Sequence, residues 1–184
     1  MNKLLFFIKR QPIILVVGNG RHRAKETIIQ IIKSDVLIFE SDLSEAEEFS
    51  FFLRKSKSPI LVVAEIGPNP EEVLKIKNLA KVLPARGFLV LNFDDETMRQ
   101  IKNEVVARSL TYGFWEGAEI KATDLNINQE ANFKINYQGN IVPFWLKNIS
   151  NQEQIYNILA AISVGIIRGI NLVEISQSLK SWHQ

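Results

Sequence analysis

The residues best suited to chemistry stand together in one stretch, Gly18-Asn19-Gly20-Arg21-His22-Arg23-Ala24-Lys25. It follows an apolar, β-branched run, Pro12 to Val17, and leads into a stretch rich in isoleucine. A strand, a glycine turn and a helix together hold phosphate well. Free backbone N–H groups at the helix start point at the anion, and the helix dipole assists. Arg21 and Arg23 add forked donors that pair with phosphate oxygens but cannot ligate magnesium. The turn departs from the standard phosphate loop, which closes with Gly-Lys-Ser/Thr. Here Arg21 and then His22 follow Gly20, so neither the lysine nor a metal-binding hydroxyl is in place. Two readings stand side by side. One is a site for phosphate or another anion built from Gly18, Asn19, Gly20, Arg21, His22 and Arg23. The other is a plain turn with a solvated basic cluster.

Other polar positions carry the same double reading. Glu40 ends the apolar run Asp35 to Glu40, where a carboxylate reaches water at the end of a buried strand. Asp94 reads as the cap of a helix that starts at Asp95. Asn157 lies on an otherwise apolar helix, either touching a ligand or solvated. Glu45, Glu47, Glu48, Glu71 and Glu72 read as solvated helix faces. His183 sits at the C-terminal end. No Ser/His/Asp grouping, ligand-spaced histidine pair or HExxH motif occurs, so no residue is assigned a catalytic role.

The elements that must position these residues follow from hydrophobic pattern. Pro12–Val17, Asp35–Glu40, Pro59–Ala64 and Gly87–Asn92 are short apolar runs of the kind that form buried parallel strands. Helical patterns over Ala24–Lys33, Ser44–Lys55, Glu71–Leu83 and Asp95–Glu104 alternate with them. This predicts right-handed βαβ units and a mostly parallel three-layer α/β sheet. The texture then changes. Ser109–Phe114, Ala118–Asn126 and Asn132–Lys147 read as strands, the last with a hairpin signal at Gln138-Gly139-Asn140. Two helices close the chain. Gln152–Arg168 ends at Gly169, and Leu172–Trp182 is capped by Asn171 with Glu174 at the capping-box position. One domain is expected over 1–184: a leading helix at 1–11, a parallel part at 12–104, a β-rich part at 105–150 and closing helices at 151–184.

Composition narrows the class. The chain has 184 residues, 46% hydrophobic and 23% charged, which excludes a disordered chain and allows a proper core. It has no cysteine, hence no disulfide framework, thiol nucleophile or cysteine zinc site. A net charge of +2, from 22 basic and 20 acidic residues, gives no bulk case for nucleic acid. Leu4 to Ile8 is too short for a signal-peptide core, and Ile155 to Ile170 too short and too polar to span a bilayer. No membrane insertion and a cytoplasmic location are expected.

In their order along the chain, several segments resemble the central, ATP-binding domain of the Mur ligases, which make peptidoglycan precursors. The branch adding D-alanyl-D-alanine is the most similar. Val16-Val17-Gly18-Asn19-Gly20-Arg21 resembles that family's strand and phosphate loop, usually Thr-Gly-Thr-Asn-Gly-Lys-Thr-Thr. Asp35–Glu40 resembles its strand ending in glutamate, and Val63-Ala64-Glu65-Ile66-Gly67-Pro68 its Gly-Pro segment. Leu83-Pro84-Ala85-Arg86-Gly87 through Asn92-Phe93-Asp94-Asp95 matches its Leu-Asn-x-Asp-Asp element best. Thr111-Tyr112-Gly113 resembles its next strand. Ile155-Tyr156-Asn157-Ile158-Leu159-Ala160-Ala161, with Gly169-Ile170 beyond, resembles its later helix and exit.

The resemblance implies ATP as cofactor, with the loop and Asn92, Asp95 and Asn157 toward the nucleotide and Glu40 toward a metal. It implies a reaction in which ATP phosphorylates a carboxylate and an amine attacks the acyl phosphate, with a lysine and Mg²⁺ neutralising charge. The departures fall on that chemistry. Arg21 and His22 occupy the Lys and Thr positions, and Asn69 stands where the family has a His after Gly-Pro. The carbamylated-lysine motif is not preserved near Lys75 or Lys77. The family's UDP-binding and C-terminal domains have no counterpart in these residues. The expectation is a degenerate homologue that binds a nucleotide or phosphate, holds Mg²⁺ poorly, and assists a complete cell-wall ligase rather than ligating alone. The alternatives are an active ligase or ATPase in which Arg21 or Lys25 replaces the lysine, and a structural module that binds another protein.

Overall fold

The computed structural model describes residues 6, 8–67, 69–128 and 130–180. Most of the expected leading helix, and Ser181, Trp182 and His183 at the other end, lie outside that set. All eight strands join one sheet in the order β2-β1-β3-β4-β5-β6-β7-β8. They are β1 Ile13–Val17, β2 Leu37–Glu40, β3 Pro59–Val63, β4 Phe88–Asn92, β5 Arg108–Gly113, β6 Ile120–Ile127, β7 Glu130–Tyr137 and β8 Asn140–Lys147. The helices are α1 Arg21–Ile31, α2 Ser50–Lys55, α3 Pro70–Lys81, α4 Glu96–Lys102, α5 Gln152–Ile167 and α6 Leu172–Lys180.

The alternation of side chains along a strand builds the layers. Ile14 and Val16 of β1, Ile60 and Val62 of β3 and Val90 of β4 face one core with α1, α5 and α6. Ile13, Leu15, Val17, Leu61, Val63, Leu89 and Leu91 face a second core with α2, α3 and α4. Both faces of these strands are covered, which is why their sequences read as unbroken apolar runs. Beyond β5 one face is open and the pattern alternates. Phe133 and Ile135 of β7 and Phe144 and Leu146 of β8 point into the first core, with Phe133 and Phe144 stacked at 5.5 Å.

The structure departs from the sequence expectations at several points. The parallel run has six strands, not four: β6 pairs parallel with β5 at its start, and β5 pairs parallel with β4 from Arg108 to Tyr112. Its pattern is masked by Thr111, buried because Glu119 accepts both its N–H and its hydroxyl at 2.9 Å. Only β6–β7 and β7–β8 are antiparallel. The helix expected over Ser44–Lys55 is a 3₁₀ turn, Ala46–Phe49, followed by α2. Helix α1 starts at Arg21 rather than Ala24. Ile29 and Leu74, apolar residues within the helical patterns over Ala24–Lys33 and Glu71–Leu83, are exposed.

The ends of the later elements follow their sequence signals. Gln138 and Gly139 both have positive φ in the β7–β8 turn. Gly169 (φ 83) donates to Ile166 and Ile170 donates to Gly165, a Schellman ending for α5. Asn171 accepts from Glu174 N at 2.9 Å and so caps α6. On the outer strand β8, Pro143 has no N–H, and its carbonyl accepts from Ser176 Oγ of α6 at 2.8 Å. No helix among the described residues is long and apolar enough to cross a membrane.

Candidate functional site

In a sheet of order 2-1-3-4-5, the chain leaves β1 toward one side and returns to β3 on the other. The crevice beyond the carboxyl ends of those two strands is where ligands bind in such folds. The 18–20 loop lies there. At Gly18 and Gly20 it leaves no room for a side chain. Gly18 has φ 92, and a Cβ on it would sit 2.2 Å from the Glu65 carbonyl oxygen at the end of β3. That carbonyl accepts from Asn19 N at 2.7 Å, which ties the loop across the crevice. Gly20 is the N-cap of α1 in the left-handed region (φ 74), and no side chain caps the helix. The first-turn N–H groups are therefore left for another acceptor.

Arg21, His22 and Arg23 belong to the first turn of α1, and the side chains of the first two are held by the protein rather than free. Arg21 folds back: Nη1 donates to Gly18 O at 3.3 Å and Nη2 to Asp42 Oδ2 at 3.0 Å. His22 Nδ1 lies 3.2 Å from both oxygens of Glu40, and Lys25 Nζ lies 3.8 Å from Glu40 Oε1. Arg21 and Arg23 are half-buried rather than exposed. Thus Glu40 faces an imidazole and an ammonium. One carboxylate so engaged is a poor donor set for Mg²⁺, which takes oxygen ligands in octahedral geometry. The described residues contain no group of three or more His, Asp or Glu that suits a metal.

Beside the loop lies a cleft of about 330 Å³, which brings Asn92, Asp95 and Asn157 together with Glu65, Asp94, Glu153 and Tyr156. Asn157 meets the loop directly, since a Cβ on Gly20 would come within 2.5 Å of its Oδ1. Asp95, not Asp94, caps α4: its Oδ1 accepts from Thr97 N at 2.7 Å and Met98 N at 3.3 Å. Asp94 instead accepts from Phe114 N (2.7 Å), Trp115 N (3.0 Å) and Tyr156 Oη (2.8 Å), fastening the start of α5 to the loop after β5. A Cβ on Gly113 would press to 2.3 Å from Asp94 Oδ1. Burial, and donation to the Asp94 carboxylate, push the Tyr156 phenol above its ordinary range. Burial does the same to Tyr112, whose hydroxyl reaches the Ala64 carbonyl at 3.0 Å.

Glu65 and Glu153 were not among the residues the sequence singled out. Partial desolvation, then the charges of Glu153 and Asp95, raise the Glu65 pKa. A trace of Glu65 was available, since it ends an apolar run as Glu40 does. Glu153 carries no sequence signal beyond standing in the first turn of a helix. Apart from Arg23, half-buried in the first turn of α1, the candidate residues divide in two. Gly18, Asn19, Gly20, Asn92, Asp95 and Asn157 border one crevice. Arg21, His22 and Glu40 lie outside the lining of the cleft, in an ion-paired cluster that Asp42 and Lys25 complete.

A doubly wound sheet with a glycine loop at its crossing point and a cleft over its strand ends defines an α/β domain of the phosphate-loop type. The model of the Mur ligase middle domain matches residues 64–165, more than half of the chain, and the chain belongs to that family. A UDP-N-acetylmuramate--L-alanine ligase of Alkaliphilus metalliredigens is 28% identical over 105 residues, 56% of this chain and 23% of that protein. Its counterpart from Endomicrobium trichonymphae is 27% identical over 179 residues, 91% of this chain and 38% of that protein. The chain thus spans well under half the length of these relatives.

Solved structures share the fold. MurF ligase from Thermotoga maritima, in complex with ADP, superposes with a TM-score of 0.76 at 14% identity, covering 99% of this chain and 52% of that one. A D-alanyl-D-alanyl ligase from Acinetobacter baumannii superposes with a TM-score of 0.80 at 13% identity, covering 98% and 48%.

Proposed function

We propose that this chain serves peptidoglycan precursor synthesis in the cytoplasm as a middle-domain homologue. It binds the phosphate of a nucleotide such as ATP or ADP at the 18–20 loop and does not ligate by itself. Support for the binding comes from the uncapped start of α1 and from Gly18 and Gly20, whose positive φ allows the tight turn that presents it. The neighbouring cleft, with the amides of Asn92 and Asn157, suits the uncharged base better than the phosphates. Glu65, Asp95 and Glu153 would repel the latter.

The observation that carries the non-catalytic reading is the cluster at Arg21 and His22. Phosphoryl transfer is mostly positioning and charge neutralisation. Here the two side chains at the family's lysine and hydroxyl positions are engaged by Asp42 and Glu40. A complete cell-wall ligase is the protein partner this reading calls for.

The test is a calorimetric titration of ADP and ATP with and without Mg²⁺, alongside a phosphate-release assay. Binding that is indifferent to Mg²⁺, with no phosphate released, is expected. Mg²⁺-dependent binding with phosphate release would overturn the non-catalytic reading. No heat from ADP, ATP or phosphate would overturn the nucleotide role.

A further inference from the structure

A larger cleft lies elsewhere, at the far ends of α1 and α5. It has a volume of about 730 Å³, within the usual range for small-molecule sites. Helix α5 begins at the nucleotide cleft with Glu153, Tyr156 and Asn157 and ends at Arg168. Eleven residues of helix separate Asn157 from Arg168, about 16 Å along the axis. The two clefts share no lining residue.

Three helices shape this second cleft. Gly165 lets α5 approach closely, since a Cβ there would meet Ile175 Cδ1 of α6 at 2.7 Å and Ile31 Cγ2 of α1 at 2.9 Å. Gln30 Nε2 donates to the Ser178 carbonyl at 3.3 Å and ties α1 to α6. The walls carry Lys33, Ser34, Arg168 and Gln177 as donors and Glu174 as the one acid, over a base of Ile31 and Ile170.

Arg168 is unusual here. Its Nε is buried and has no hydrogen-bond partner, the only such side-chain atom among the described residues. Its Nη2 makes one long contact, 3.4 Å to Ser34 Oγ. No ion pair to Arg168 or Lys33 occurs among the described residues. A buried guanidinium N–H without an acceptor is costly, and native structures pair such groups with protein, water or a ligand.

Cations near the carbonyl ends of α1 and α5 also offset the helix dipoles. That role needs neither their convergence on one cleft nor a missing acceptor at Nε. Two unpaired cations, a hydroxyl and an amide match a doubly charged, four-oxygen group better than a planar carboxylate with two oxygens. End-on pairing through the two Nη groups is a guanidinium geometry that suits such a group.

We propose that the cleft between Lys33, Ser34, Arg168 and Gln177 is a second anion site, which takes the phosphate group of a small molecule independently of the 18–20 loop. The test uses the full chain, labelled with nitrogen-15, at low ionic strength. The Arg168 Nε–H signal is followed while inorganic phosphate is added, and acetate is titrated in parallel. A saturable phosphate shift at Arg168 and at the Lys33 and Gln177 amides is expected, with acetate at least about fivefold weaker. Lys33→Met, at an exposed position, is expected to weaken the phosphate response about fivefold or more, and Arg168→Met to abolish it.

Arg21→Ala should leave this response unchanged, which separates the site from the loop. A shift that grows linearly without saturating would overturn the proposal. So would one reproduced by chloride at equal ionic strength, matched by acetate, or untouched by Lys33→Met. Should Arg168→Met fail to fold, Lys33→Met and Gln177→Ala decide the matter, since both residues are exposed.

Discussion

Asp42 holds Arg21 away from any anion at the loop, so removing it should tighten binding there. Arg21 Nη2 and Asp42 Oδ2 are 3.0 Å apart, with side chains 34% and 59% exposed. A pair so open to water is worth about 0.5–1 kcal/mol rather than the several a buried pair would give. If a bound phosphate must draw Arg21 from this contact, Asp42→Ala releases that amount to binding. The expected gain in ADP or phosphate affinity is about 2- to 5-fold. The other side-chain contacts of Asp42, to Ser44 N and Oγ at 3.4 Å, are long, so the variant should melt close to the parent.

The assay is calorimetry at low ionic strength, where exposed charges are least screened. It needs Arg21→Ala and the double variant as well, because only the cycle isolates the pair. A folded Asp42→Ala protein with unchanged or weaker affinity would refute the reasoning. The same gain in the Arg21→Ala background would refute it too, since the effect would then be general removal of negative charge.

Other perturbations test the cleft and the loop. Gly20→Ala must place a side chain at φ 74 against Asn157 and should cost about 2–3 kcal/mol in denaturant unfolding, with Asn157→Ala recovering only the steric share. Asp94→Ala leaves Phe114 N, Trp115 N and Tyr156 Oη without their acceptor and should cost about 3 kcal/mol, against about 1 kcal/mol for Tyr156→Phe. Glu65 has its folded pKa raised, so the stability gained by protonating it is fully present below the ordinary carboxyl value of 4.5 and lost as pH rises through the raised value. Glu65→Gln should therefore melt higher than the parent at neutral pH and equal to it below pH 4.5, read from thermal melts across that range.

The buried strands were the most legible part of the sequence, because a strand covered on both faces has nearly every position filled by Ile, Leu or Val. β5 escaped the parallel count because its Thr111 is satisfied by Glu119, a pairing eight residues away that no local pattern shows. The glycine loop was legible for the same local reason as the strands. What its side chains do was not. Whether Arg21 and His22 face a ligand or the protein depends on Asp42 and Glu40, which the fold brings up from the end of β2 and the loop beyond it. The exchange between Asp94 and Asp95 has a similar cause. Either can cap a helix, and the choice is made by the backbone N–H groups of Phe114 and Trp115, which draw Asp94 away.

Pro143 sets a limit on self-association. β8 is the open margin of an eight-stranded sheet, the kind of border along which identical chains add strand to strand and aggregate. A second copy approaching that border finds no donor at Pro143 and a carbonyl already held by Ser176. The interruption falls at the middle of an eight-residue strand, so no long ladder can grow past it. The opposite margin, β2, is only four residues long. Both borders thus resist lateral growth, and a stable oligomer of this chain would form more readily through the faces of the sheet and its helices than along its edges.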